Sequence, residues 1–231
     1  MKNDYPQMYF TENDSFKAAK KIYPKPSGIV VHSTGANNPY LKRYVQPVKG
    51  QCGYNEIIGH LGKNRYSNHW NQPRMYVYPD GTKTVGVRDK SKKPVRTNYE
   101  VSMHAFIGKA ADGSVAVYQT LPFDICCWGC GGGKNGSYNY NPTAHIQFEI
   151  CEDGLNDEHY FRQAFGVAEE FCAYLCLKLG LSPDDICSHK EAHRQGFASD
   201  HGDPENWLKK FGKTMDDFRQ NVRKILEYKE V

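Results

Sequence analysis

Gly28-Ile-Val-Val-His32, followed by Ser33-Thr-Gly35, is a short apolar strand that ends on a histidine and runs into a tight turn. A side chain at such a place is held rigidly at the edge of a sheet, where open α/β sheets position ligands. Two other stretches read the same way. His145-Ile-Gln-Phe-Glu-Ile-Cys151 is a strand and a central one; alternation puts His145, Gln147 and Glu149 on one face and Ile146, Phe148 and Ile150 on the other. Asp185-Ile-Cys-Ser188 is a third apolar run, a strand over 186–188, with His189 directly behind it.

The rest of the chain supplies the frame. Residues 12–22 read as a short helix capped by Asn13 or Asp14. A helix follows Pro39 over 39–46, and 49–73 is loop with some helix. Arg74–Pro79 and Thr82–Val87 form a hairpin around a two-residue Asp80-Gly81 turn. Residues 89–98 are a basic loop, Val101–Ile107 and Ala116–Leu121 are strands, and 129–142 is a Gly- and Asn-rich loop. Phe161, Phe165, Ala168, Phe171 or Cys172, and Leu175 recur at three- and four-residue steps and predict a helix over 157–179, stopped by Gly180. A last amphipathic helix covers 214–228. Strands and helices mix, so the class is α/β or α+β.

Composition narrows the function classes. The 231 residues are 39% hydrophobic and 24% charged, which suits one domain with an ample core. A mean hydropathy of −0.72 and the lack of an apolar run near ~18 residues exclude a transmembrane helix. The 13% aromatic content argues against disorder. A net charge of +4 favours an anionic polymer or wall, but with no basic helix it does not argue for nucleic acid. No apolar leader opens Met1–Lys25. This fits a cytoplasmic protein, one released by lysis or a helper, or a trimmed chain. The eight cysteines lack the pattern of a secreted disulfide scaffold and read mostly as thiols. Cys127-Trp-Gly-Cys130 raises a zinc knuckle or redox pair, though no second C-x-x-C accompanies it.

Nine histidines are many for this length. His32, His189 and Asp203, whose backbone is biased to extended by Pro204, together supply two imidazoles and a carboxylate, the donor set of a catalytic zinc site with a fourth place for water. Spacing alone favours packed, hydrogen-bonded core histidines, since the three residues are far apart in sequence. Glu149 in mid-strand is costly to bury unless it is paired or working, and beside zinc it could carry a proton. A salt-bridged edge glutamate is the plainer alternative.

The motifs Ile29-Val-Val-His-Ser-Thr-Gly35, Val101-Ser-Met-His104, the aromatic-glycine segment after Leu121-Pro122, Ile146-Gln-Phe-Glu149, and Ser188-His189 through Asp203-Pro204 come in an order that resembles zinc-dependent N-acetylmuramoyl-L-alanine amidases. The resemblance covers most of residues 27–210. His201-Gly-Asp-Pro, Trp207 and Phe211-Gly-Lys-Thr-Met215 are most similar to endolysins of phages that infect Gram-positive, clostridium-like bacteria. It implies one catalytic domain with a central mixed sheet flanked by helices and a zinc cleft at one sheet edge, with 49–99 as an insertion. Endolysins of Gram-positive hosts often carry a second, wall-binding domain; none is read after the helix ending near Tyr228, so either the enzyme works without one or this is a catalytic fragment. The resemblance implies Zn2+ on His32, His189 and Asp203, with Asp200 or His201 as alternatives to Asp203. Glu149 falls on the family's catalytic glutamate. His201 takes the place of a lysine that faces the substrate carbonyl. Gly129, within Trp128-Gly-Cys130, stands where many relatives carry a second histidine.

Peptidoglycan is then the substrate. His104, Trp128 and His145 are candidate contacts to it, with support from behind the ligands or plain packing the alternatives for His104. Tyr66, Trp70, Tyr76, Tyr78 and the basic run Lys90–Arg96 read either as a groove floor or as an insertion without direct contact. His60, His69, His159 and His193 read as surface or structural. A recognition protein that binds the wall without cutting it, and a zinc endopeptidase acting within the stem peptide, are the alternatives.

Overall fold

Ile29–Ser33 (β1), Ile146–Ile150 (β7) and Ile186–Ser188 (β8) are buried along their whole length. Strands with near-continuous apolar sequence need cover on both faces, and a parallel sheet between layers gives it. The computed structural model describes residues 5–62, 69–98, 101–154 and 156–229. Its elements, besides those three strands, are α1 (Asp14–Ala18), α2 (Tyr54–Ile57), β2 (Met75–Val77), β3 (Lys83–Val85), β4 (Arg96–Asn98), β5 (Ala105–Lys109), β6 (Val115–Gln119), α3 (Glu158–Leu179), α4 (His189–Arg194), α5 (Glu205–Lys210) and α6 (Met215–Lys229).

The main sheet has the order β6-β5-β7-β1-β8, so β7 is its middle strand. Only β5 and β6 are antiparallel; the rest pair in parallel, and the sheet is mixed. Register sets His32 beside Glu149, Val30 beside Gln147 and Val31 beside Ser188. Adjacent strands lie roughly 4.8 Å apart, so His32 and Glu149 emerge as neighbours on one face.

The opposite face carries the main core. Ile29, Val31, Ile146, Phe148 and Ile150 pack under α3 and α6 with Phe161, Phe165, Phe171 and Phe218. The residues that gave α3 its periodicity are all buried. Asp157 caps α3 through the Tyr160 amide, and Gly180 ends it at φ 63°. Trp207, from α5, is fully buried against Phe161, with ring centroids 4.9 Å apart. Among the described residues no helix is long and apolar enough to cross a membrane.

Several local expectations are corrected. The helix read over 12–22 is confined to α1, because Ala19 turns left-handed (φ 48°); Asn13 does cap it, accepting from the Ser15 amide. The helix over 39–46 shrinks to a 3-10 turn, Leu41–Arg43. The β2–β3 hairpin closes through a wider loop, with Tyr78 N–H donating to the Thr82 carbonyl and Gly81 at φ 78°. The basic loop contains β4, which pairs with β2 to complete a separate three-stranded sheet. The strand placed at Val101–Ile107 begins only at Ala105. Helices α4 and α5 were not expected at all. Tyr66 lies outside the described residues.

Glu169 on α3 is buried against α6, where the Asn221 side chain donates to it over 2.8 Å. Burial pushes its carboxyl up from 4.5 to about 7. Between those values the folded state binds more protons than the unfolded one, so this group's contribution falls as pH rises through that window. Glu169→Gln keeps the acceptor without the charge. It is expected to raise the melting temperature at pH 8 and leave it unchanged at pH 4.5. An equal shift at both values would show that charge burial is not the cause.

Candidate functional site

Three parallel strand ends deliver the site. His32 leaves β1 with its side chain buried, and His189 is the first residue of α4, directly after β8. The α4 start is fixed by a capping box: the Ser188 hydroxyl accepts from the Glu191 amide, and the Glu191 carboxylate accepts from the Ser188 amide. Glu191 is itself tied to Arg219 of α6 over 2.9 and 3.0 Å. Asp203 comes in from the loop before α5.

Ligand atoms of His32, His189 and Asp203 lie within 4.8 Å of one another. The two Nδ1 atoms are 3.0 Å apart. Asp203 places one carboxylate oxygen 3.2 Å from His32 Nδ1 and the other 3.5 Å from His189 Nδ1. The outer ring nitrogens are engaged elsewhere. His32 Nε2 meets Gln147 Oε1 at 3.2 Å, and His189 Nε2 meets the Ser199 hydroxyl at 3.3 Å. Ser199 spends its own proton on the Cys130 carbonyl, so toward His189 it accepts.

Both imidazoles therefore carry their proton on Nε2 and turn a lone pair inward. Burial pushes His32 down and keeps it neutral. Two lone pairs and a carboxylate at these distances repel unless a cation stands between them. A tetrahedral zinc with Zn–N near ~2.0–2.1 Å sets its nitrogens roughly 3.3 Å apart, so the donors fit that ion.

Glu149 lies next to His32 and is buried. Burial first, then the charges of Asp203 and Glu152, push its carboxyl well above the usual carboxylate range. Its Oε2 has no hydrogen-bond partner. A buried, partnerless carboxyl oxygen beside a cation site is placed to exchange a proton.

The other expected residues divide. His201 stacks on His189 (centroids 4.7 Å, interplanar 12°), with Nδ1 3.8 Å from Asp203 and most of its side chain exposed. Asp200 is turned outward, 85% exposed and 3.7 Å from His193. Trp128 is half-buried, with Arg74 over its ring at 5.6 Å.

The structure does not bring His104 or His145 to the cluster. His104 is fully buried, donating from Nε2 to the Ile125 carbonyl and accepting the Gln147 amide on Nδ1. Burial pushes it down to about 4. His145 sits at the opposite end of β7, stacked on Tyr138 at 3.7 Å and bonded to the Thr143 carbonyl. Among the described residues Cys127 and Cys130 join no metal-capable group; they bond to the Ser102 carbonyl and to Asn139. Sequence reading missed Gln147 and Ser199. The capping pattern Ser188-x-x-Glu191 was the one local signal that could have placed α4.

Known structures share this fold. Staphylococcus aureus hydrolase AmiA, solved with its ligand, is 17% identical; the match covers 98% of this chain and 85% of AmiA, with a TM-score of 0.58. The PlyG catalytic domain is 17% identical over 96% of this chain and 94% of its own, TM-score 0.53. PlyL is 16% identical over 95% and 96%, TM-score 0.52. No curated protein matches the sequence. Residues 23–206 match the family described as N-acetylmuramoyl-L-alanine amidase, and the match spans most of the sequence: the chain belongs to that family.

Proposed function

We propose that this amidase cuts the bond between N-acetylmuramic acid and L-alanine of peptidoglycan as a zinc enzyme, and serves as a phage or prophage endolysin. The observation that carries the zinc reading is the set of inward lone pairs of His32 and His189 facing the Asp203 carboxylate. The endolysin reading rests on the resemblance of His201–Pro204, Trp207 and Phe211–Met215.

His32, His189 and Asp203 would hold zinc, which when bound would supply positive charge for acidifying water and polarising the scissile carbonyl. The chain's own residues do the rest. Hydrolysis joins a water oxygen to the lactyl carbonyl carbon, breaks the C–N bond and puts a proton on the leaving alanine nitrogen. Glu149 takes the proton from water and returns it to that nitrogen, a role its partnerless oxygen suits. His201 donates to the carbonyl oxygen as negative charge develops there, a role its exposure beside Asp203 supports.

Glu149→Gln is expected to lower hydrolysis by about 10²–10⁴-fold with zinc content unchanged. Activity within tenfold of wild type would remove Glu149 from the chemistry. Chelation is expected to abolish hydrolysis and zinc to restore it, while His189→Ala and Asp203→Ala purify without the metal. Mass spectrometry of digested walls separates the readings. Stem peptides with a free N-terminal alanine are expected. Cuts within the stem would make the protein an endopeptidase. Intact walls with one zinc bound would make it a recognition protein.

A further inference from the structure

The buried interior behind His32 contains a chain of side-chain amides. It begins at Asn139, whose Oδ1 accepts from two backbone amides, Gly129 at 3.0 Å and Cys130 at 3.1 Å. Only an oxygen accepts two N–H donors, so the orientation of Asn139 is fixed. The Gln147 atom 2.9 Å from that oxygen is therefore its NH2 group. The same group also points at the Cys127 carbonyl, 3.4 Å away. Gln147 must then present its carbonyl Oε1 in the other direction, where it meets His32 Nε2.

An oxygen there can only accept. His32 carries its proton on Nε2, and the nitrogen left bare is Nδ1, the atom turned toward His189 and Asp203. Gln147 is fully buried, so no water substitutes for it. The backbone of Gly129 and Cys130 thus dictates, through two amides, which nitrogen of His32 is free to bind.

Gly129 has a second bearing on this arrangement. A Cβ there would lie 2.5 Å from Gln147 Oε1 and 2.8 Å from the end of Met103. Met103 is flexible at that end, whereas the Gln147 carboxamide is bonded at both ends. The backbone of Gly129 is not left-handed, so conformation alone does not demand glycine. The space is closed because Gln147 fills it.

We propose that Gln147 is a positioning residue that sets the His32 tautomer, and that its carboxamide takes the room a side chain at 129 would need. The proposal rests on the reading of His32 as a zinc ligand, but its first test does not. Long-range ¹H–¹⁵N spectra of the zinc-free protein at neutral pH report the tautomer directly. His32 is expected with its proton on Nε2. A proton on Nδ1 in the wild-type protein overturns the proposal, whether or not any variant folds.

Gln147→Ala is expected to give a tautomer mixture and to weaken zinc binding roughly 10–100-fold, the usual effect of losing a partner that orients a metal ligand. Gly129→Ala, which displaces the carboxamide without removing it, is expected to give the same two changes. In the double variant the second substitution adds nothing, since both act through one group. Additive losses, or folded single variants with unchanged tautomer and zinc affinity, sink the proposal. A wild-type protein that shows the Nε2 tautomer yet binds no zinc refutes the zinc reading and leaves the amide chain standing.

Discussion

Two imidazole lone pairs and a carboxylate are forced to face one another across about 3 Å, and the surrounding structure keeps them there. Left alone, such a group would relax: a ring would flip or a proton would move inward. The molecule blocks both routes from behind. Gln147 occupies the outer nitrogen of His32 with a carbonyl oxygen, and Ser199 that of His189 with a hydroxyl whose proton goes to the Cys130 carbonyl. The capping box at Ser188 and its tie to Arg219 prevent α4 from carrying His189 away. Repulsion held by the fold is stored affinity for a cation.

That constraint explains the two unlike faces of the sheet. One side of β1 and β7 is apolar and packs under α3 and α6. The other bears His32, Gln147 and Glu149, all buried. Burying a carboxyl whose Oε2 lacks a partner costs on the order of 1–3 kcal/mol. Each large core side chain on the opposite face offsets a cost of that size, at about 1.5–3 kcal/mol when fully buried. The long aromatic α3 is thus part of what makes a polar cleft tolerable.

The elements legible in the sequence are those whose burial leaves a period. α3 repeats its apolar residues over six turns, and β1, β7 and β8 are continuous apolar runs, so each stood within a residue or two of its place. α4 and α5 are six residues each and hold by capping and tertiary contact, which leave no period to read. β4 hid in a basic stretch because its sheet lies apart from the main core. In the site, His32 and His189 were visible at strand ends, Glu149 as an acid in mid-strand and Asp203 as an acid before a proline. His104 and His145 were not separable from them by sequence: all are histidines near strands, and only the partners of their ring nitrogens tell them apart. Gln147 was placed on the correct face yet given no task, since a buried amide declares its role only through what it bonds.

The choice among Asp200, His201 and Asp203 shows how geometry decides where spacing cannot. All three lie within four residues. A ligand must turn a lone pair to the point where the other donors converge. Asp200 faces outward toward His193. His201 lies flat on the His189 ring, and two rings stacked in parallel direct their nitrogens side by side rather than at a shared centre. Asp203 alone reaches both inward nitrogens, one with each carboxylate oxygen. The stacking that takes His201 away from the donor set leaves most of its side chain in solvent. One loop thus divides into a residue that reaches both inward nitrogens and a neighbour that stays exposed beside them.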